Sequence, residues 1–239
     1  MDVVYVLGKG SKWQDNELRY SLRSVEKFLK GYDQVVVVGE RPSWLKNVVH
    51  IPFANARSHV FKQQNIYDKI LQACNADFVS NDFLFFNDDF FLLQAIQADA
   101  IPYYYKGDLV GALAGRDAED SYGLSMSHTI ELLKSLELPT LNFDGHAPII
   151  YNKELFKAAL KDIWWSRHHG YVVKSLYCNL CRITGTYLKD CKITQPYKMP
   201  ELLEKIAGRS FFSCGDRGLQ GDLKKYLEQT YPQKSTYET

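Results

Sequence analysis

The sequence predicts an α/β fold with a mostly parallel central sheet flanked by helices. Three observations carry that expectation. Short β-branched apolar runs alternate with segments of helical periodicity through the first ninety or so residues. The runs are of strand length rather than helix length. They end on glycine or on polar residues, as in DVVYVL-GKG, QVVVVG and FLFF-NDD.

The elements follow in order. Asp2–Leu7 reads as a buried strand leading into a loop at Gly8 and Gly10. Asp15 and Asn16 suit the cap of a helix over Glu17–Lys30, whose Leu18, Leu22, Val25, Phe28 and Leu29 fit one face. Gly31 stops that helix. Gln34–Gly39 and Val48–Phe53 read as the second and third strands, and Phe61–Ala73 as a second helix. Phe83–Phe86 is a fourth strand that ends at Asn87-Asp88-Asp89. Beyond Leu93 the pattern becomes mixed to about Gly145, with further helices expected at Lys153–Lys161, Val172–Leu188 and Asp222–Tyr231. The closing residues KSTYET are expected to be loose.

At 239 residues the chain is expected to form a single domain, with residues 1–95 and 96–239 as its two halves. Apolar residues make up 46% and charged residues 24%, ordinary for a globular protein with a real core. The net charge of +1 implies no broad attraction to nucleic acid or to an anionic membrane. No run is long enough for a transmembrane helix, and the N-terminus lacks the pattern of a secretory signal. Five cysteines in such a chain fit reduced thiols in a cytosol.

In parallel α/β sheets, ligands bind beyond the carboxyl ends of the strands. The loop at Gly8 and the Asn87-Asp88-Asp89 turn both fall at that edge. Adjacent carboxylates after an apolar strand suit Mg²⁺ or Mn²⁺, hard cations that bridge to phosphates, and equally suit a solvated turn. His146, in DGHAP, suits a general base on a hydroxyl, or a loop histidine in a satisfied hydrogen bond. Arg167 offers a guanidinium for phosphate, or a surface charge beside Trp164 and Trp165. Asp216, after Phe211-Phe212, suits a further metal ligand or a helix N-cap. Arg19 and Arg23 share a helix face, and Lys62 and Asn65 open the second helix where backbone N–H groups favour anions. These four suit a nucleotide diphosphate or a solvated basic face. His168 and His169 near Cys178 and Cys181 invite a zinc reading, but the cysteines lie in a helical pattern and no second pair follows.

Four blocks in order resemble a known family. DNELRYSLRSVEKF (Asp15 to Phe28) and VVVVGERPSWL (Val35 to Leu45) resemble the opening of the Stealth family of capsular-polysaccharide sugar-phosphate transferases. That family includes the lysosomal-enzyme N-acetylglucosamine-1-phosphotransferase. FLFFNDDFFL (Phe83 to Leu92), DGHAPIIYNKELF (Asp144 to Phe156) and the segment from Ser210 to Glu238 resemble its later blocks.

The resemblance implies a GT-A-like nucleotide-sugar-binding fold, a divalent metal, and transfer of a sugar 1-phosphate to an acceptor hydroxyl with release of a nucleoside monophosphate. It implies that Asp88, Asp89 and Asp216 serve the metal and that His146 deprotonates the acceptor. Arg167 would stabilise charge on the attacked phosphoryl group. Gly8, Arg19, Arg23, Lys62, Asn65, Asn87 and Asp88 would hold the donor, a UDP-, CMP- or GDP-sugar. The acceptor would be a glycan or a lipid-linked saccharide, met in the cytoplasm or at the membrane surface, with no nucleic-acid partner. Two other readings stand beside this one. An ordinary GT-A glycosyltransferase would release a nucleoside diphosphate. A non-catalytic carbohydrate-binding module would use the 14% of aromatic residues for sugar stacking.

Overall fold

The computed structural model describes residues 1–54, 61–163 and 169–239. Arg167 and His168 lie outside the described residues.

The first half builds the sheet. β1 (Asp2–Leu7) is followed by α1 (Asn16–Phe28), β2 (Leu29–Lys30), β3 (Val35–Gly39) and β4 (Val49–Pro52). Then come α2 (Lys62–Asn75), β5 (Asp82–Phe86), β6 (Phe90–Leu92) and β7 (Ile96–Gln97). β8 (Tyr104–Tyr105), α3 (Leu109–Ala114) and α4 (Ser121–Ser135) lead to β9 (Ile149–Asn152) and α5 (Lys153–Leu160). The chain closes with α6 (Val173–Leu180), β10 (Thr186–Tyr187), β11 (Lys192–Ile193), α7 (Met199–Ile206), β12 (Phe211–Cys214) and α8 (Leu223–Thr230).

The central sheet runs β4-β3-β1-β5-β9. The four strands expected from the first half are all in it and pair in parallel, and β9 joins β5 antiparallel at the edge. Burial on both faces explains the unbroken apolar runs: Val3, Val4, Val36, Val37, Leu84 and Phe85 are all inaccessible or nearly so. Reversal of β9 has a consequence for the site. Ile149 pairs with Phe85, so the residues just before β9 stand at the same edge as the carboxyl ends of the parallel strands.

A second sheet, β11-β12-β6, grows from the end of β5. Asn87-Asp88-Asp89 is the turn between β5 and β6. β6 pairs antiparallel with β12, which pairs in parallel with β11. Residues from the last third of the chain thereby reach the acidic turn.

Four expectations are corrected. The first helix ends at Phe28, because Leu29–Lys30 turn extended and pair with Ile96–Gln97. Asp15 is not a side-chain cap there: it sits at φ +57°, and the Ser11 hydroxyl accepts its N–H. The helix expected to reach Leu188 stops at Leu180. Arg182 turns left-handed at φ +52°, and Thr186–Tyr187 pair with Tyr104–Tyr105. The tail is packed rather than loose. Ser235 and Glu238 are buried, and the Lys46 N–H donates to the Tyr237 carbonyl.

Candidate active site

Two cavities meet at the carboxyl edge of the central sheet. The first, about 530 Å³, lies between the Gly8–Ser11 loop, the start of α2 and the Gly215–Asp216 segment. The second, about 460 Å³, lies between α2, the Asp144–His146 segment and α6. Lys62, Ile66, Asp88, Asp89 and Lys192 line both. The acidic turn is therefore the shared wall of two adjoining spaces.

The turn crowds two carboxylates together. Asp89 Oδ1 is buried without a hydrogen-bond partner. Burial, then the charge of Asp89, then that of Glu17 push the Asp88 carboxyl up to about 7. Two crowded carboxylates with an orphaned buried oxygen form a donor set that fits a divalent cation completing its shell with substrate phosphate and water. Asp216 does not stand with them as a third acid. It is exposed, and its carboxylate is 2.8 Å from Lys12 Nζ. Among the described residues no group of three or more His, Cys, Asp or Glu is placed to hold a metal, Cys178 and Cys181 included. Burial raises both of those thiols, as it does for structural cysteines.

His146 belongs to a charged chain. Its Nδ1 is 2.7 Å from Asp190 Oδ2 and its Nε2 is 3.1 Å from Lys192 Nζ. A carboxylate can only accept and an ammonium can only donate. The imidazole therefore carries its proton on Nδ1, and Nε2 presents a lone pair. Lys106 Nζ donates to the same Asp190 oxygen at 2.8 Å. Burial alone would raise Asp190. The hydrogen bond from His146, with the charge and hydrogen bond of Lys106, outweighs it and holds the carboxyl well below the usual range. At the other end, Lys192 Nζ lies 3.8 Å from Asp89 Oδ2. The order Lys106–Asp190–His146–Lys192–Asp89 thus runs across the edge of both cavities.

Of the residues singled out in the sequence, Gly8, Lys62, Asn65, Asp88, Asp89 and Asp216 line the first cavity. Asn87 and His146 line the second. Arg19 and Arg23 are elsewhere. Arg19 Nη1 donates to Glu238 Oε2 at 2.9 Å, and Arg23 forks onto both Glu238 oxygens at 2.7 Å. Their shared helix face, expected to hold a diphosphate, instead holds the side-chain carboxylate of Glu238.

Sequence reasoning missed Asp190, Lys192, Lys106, Lys69 and Lys174. Asp190 and Lys192 are two apart in KDCKI, a spacing that puts both on one face of an extended segment, so a signal existed. Lys69 had none. It sits at a buried helix position, where its shift is downward because of desolvation, and it lines the first cavity.

No protein-family model and no curated protein matches the chain. Solved structures do match. The galactosyltransferase LgtC, in complex with donor and acceptor sugar analogs, aligns over 99% of this chain and 97% of its own at 12% identity and a TM-score of 0.50. The bifunctional glycosyltransferase WbbM, an apo structure, aligns over 98% of this chain at 12% identity and a TM-score of 0.50. This chain spans 50% of the WbbM chain. At such identity the likeness shows the fold: a GT-A-like α/β architecture. No helix among the described residues is long and apolar enough to cross a membrane.

Proposed function

We propose that the chain is a nucleotide-sugar-dependent transferase acting on a saccharide hydroxyl. The observation that carries this reading is the wall between the two cavities. Asp88 and Asp89 face a space suited to a metal-bound diphosphate, and a histidine oriented by a partly buried carboxylate faces the adjoining space. The fold shared with LgtC and WbbM supports it.

In this reading the first cavity takes the donor and the second the acceptor. Gly8 and the start of α2 border the diphosphate, and Lys62, Lys69 and Lys192 supply positive charge around it. Mg²⁺ or Mn²⁺ held by Asp88 and Asp89 would neutralise developing phosphate charge. Asp190 holds the His146 tautomer and stabilises the imidazolium that forms when Nε2 takes the acceptor proton. Lys192 donates to that lone pair at 3.1 Å. A diphosphate beside Asp89 offers it a fully charged partner, which draws Lys192 away and exposes Nε2 to the hydroxyl. Arg167, as the stabiliser of the attacked phosphoryl group, and Asp216, as a further donor-site acid, rest on the resemblance in sequence.

The bond broken has two readings. Transfer of a sugar 1-phosphate, with release of a nucleoside monophosphate, follows from the resemblance to the Stealth family and from a hydroxyl-activating pair beside the diphosphate acids. Transfer of the sugar alone, with release of a nucleoside diphosphate, is favoured by the fold shared with LgtC. Mass spectrometry of reactions with Mg²⁺ or Mn²⁺, UDP-, GDP- and CMP-sugars and a saccharide mixture decides between them by the nucleotide that appears. Absence of any nucleotide product, together with absence of nucleotide binding, would overturn the reading as a whole.

A further inference from the structure

The second cavity contains a buried cation that the reaction outlined above does not use. Lys174, on α6, is 6% exposed. Its ammonium donates to the Gly145 carbonyl at 3.1 Å and the Ala147 carbonyl at 3.0 Å, and lies over the rings of Phe85 and Phe90. An ammonium has three donors, so one is left. Lys174 has no ion pair among the described residues. The acid with the largest effect on it is Asp144, whose Oδ2 accepts from the Tyr122 hydroxyl. A buried ammonium without a carboxylate partner is costly: desolvation pulls its pKa down, and a bound anion would relieve that cost.

A second observation is independent of the first. Tyr151, on β9, is 0% exposed, and its hydroxyl has no hydrogen-bond partner. Buried tyrosine hydroxyls normally find one. Tyr151 and Lys174 line the same cavity. Lining cations there outnumber lining carboxylates: Lys62, Lys106, Arg116, Lys174 and Lys192 against Asp88, Asp89 and Asp144. With Asp88 and Asp89 turned to the donor's metal, Asp144 is the lining carboxylate left on the acceptor side.

We propose that the acceptor is an acidic saccharide, and that its carboxylate or phosphate group docks between the Lys174 ammonium and the Tyr151 hydroxyl. This rests on the second cavity being the acceptor side. Val6, Phe85 and Val173 also line the cavity, and apolar walls strengthen a charge-assisted bond. A neutral sugar offers Lys174 and Tyr151 only uncharged hydroxyls, whereas an anion adds the counter-charge that the ammonium lacks, and discrimination comes from that difference.

The test is calorimetric titration of the full chain with methyl β-D-glucuronide, glucose 6-phosphate and methyl β-D-glucopyranoside, each with and without a saturating nucleoside diphosphate and Mg²⁺. At least one acidic probe is expected to bind about tenfold or more tightly than the neutral glucoside. The two acidic arms tell carboxylate from phosphate. Lys174→Met and Tyr151→Phe should each reduce acidic binding toward the neutral level and leave the glucoside unchanged. Tyr151→Phe keeps the ring stack if the lysine variant fails to fold. Acidic probes that bind no better than the glucoside overturn the inference. So does displacement of the acidic probe by the nucleoside diphosphate, which would assign Lys174 to the donor. Nucleotide release from a nucleotide-sugar, scored separately, tests the transferase reading. Release without acidic preference removes this inference alone. Acidic preference without nucleotide binding or release removes the transferase reading and the role of acceptor with it, and leaves only an acidic-saccharide site at Lys174 and Tyr151.

Discussion

His146 Nδ1 stands 2.7 Å from Asp190 Oδ2, and the pair joins a loop before β9 to the segment leading into β11. The two residues are 44 apart in the chain. The contact forms because β12 threads between β6 and β11, bringing the KDCKI segment to the acidic turn. A carboxylate so placed holds one imidazole tautomer and leaves Nε2 as the basic nitrogen.

Asp190→Asn should therefore lower turnover by about 10²- to 10³-fold while nucleotide-sugar binding stays within about twofold. Steady-state kinetics beside calorimetry of donor binding check this. Equal losses in both would make Asp190 a structural residue of the fold.

Asp89→Asn should abolish metal-dependent turnover without unfolding the chain. Removing one of two crowded charges relieves repulsion at Asp88, and Asn keeps the size of the side chain. Thermal unfolding within a few degrees of the parent, with metal affinity lost, is the expected pair of results. Metal-stimulated turnover persisting in the variant would remove Asp89 from the metal site.

Glu238 anchors the C-terminus in a pocket made by Arg19, Arg23 and the Ser235 N–H. Burial works against its charge, but the Arg23 hydrogen bonds, Ser235 and Arg19 prevail and bring the carboxyl down to about 2. A depressed carboxylate contributes stability that is present above its unfolded value near 4.5 and is lost as pH falls towards 2. That contribution is on the order of 3 kcal/mol. Glu238→Gln should cost about 3 kcal/mol or more, because it strands two arginines, and should flatten the loss of stability between pH 4.5 and 2. Chemical denaturation across that range measures both effects. A parent and variant with parallel pH profiles would show the pair to be energetically silent.

Gly39 closes β3 at φ +115°, and a Cβ there would lie 2.1 Å from the Leu7 carbonyl oxygen and 2.8 Å from Lys69 Cε. Gly39→Ala forces backbone movement at the very edge that holds the first cavity. Stability should fall by about 2–4 kcal/mol. Donor affinity should fall with it, since Lys69 is displaced. Native stability in the alanine variant would mean that the two strand ends separate freely there.

What the sequence determined by itself was the sheet and the place of the acidic turn at its carboxyl edge. Long β-branched runs such as VVVV at Val35–Val38 bury on both faces whatever their neighbours are, so their place in a parallel sheet follows from local composition. The position of Asn87-Asp88-Asp89 at a strand end followed from the same runs, as did the position of Gly8. The tertiary structure decided what those residues meet. Leu29–Lys30, Thr186–Tyr187 and Lys192–Ile193 are two-residue strands, too short for any periodicity, and they exist because a partner strand is there to pair with. Through them the chain places Asp190 and Lys192 on His146 and leaves Lys174 and Tyr151 facing one cavity. In the same way, the helix face carrying Arg19 and Arg23 looks like an anion site until the tail folds back. The identity of the anion is a matter of which carboxylate the closed chain brings within 3 Å, and only the packed molecule contains that distance.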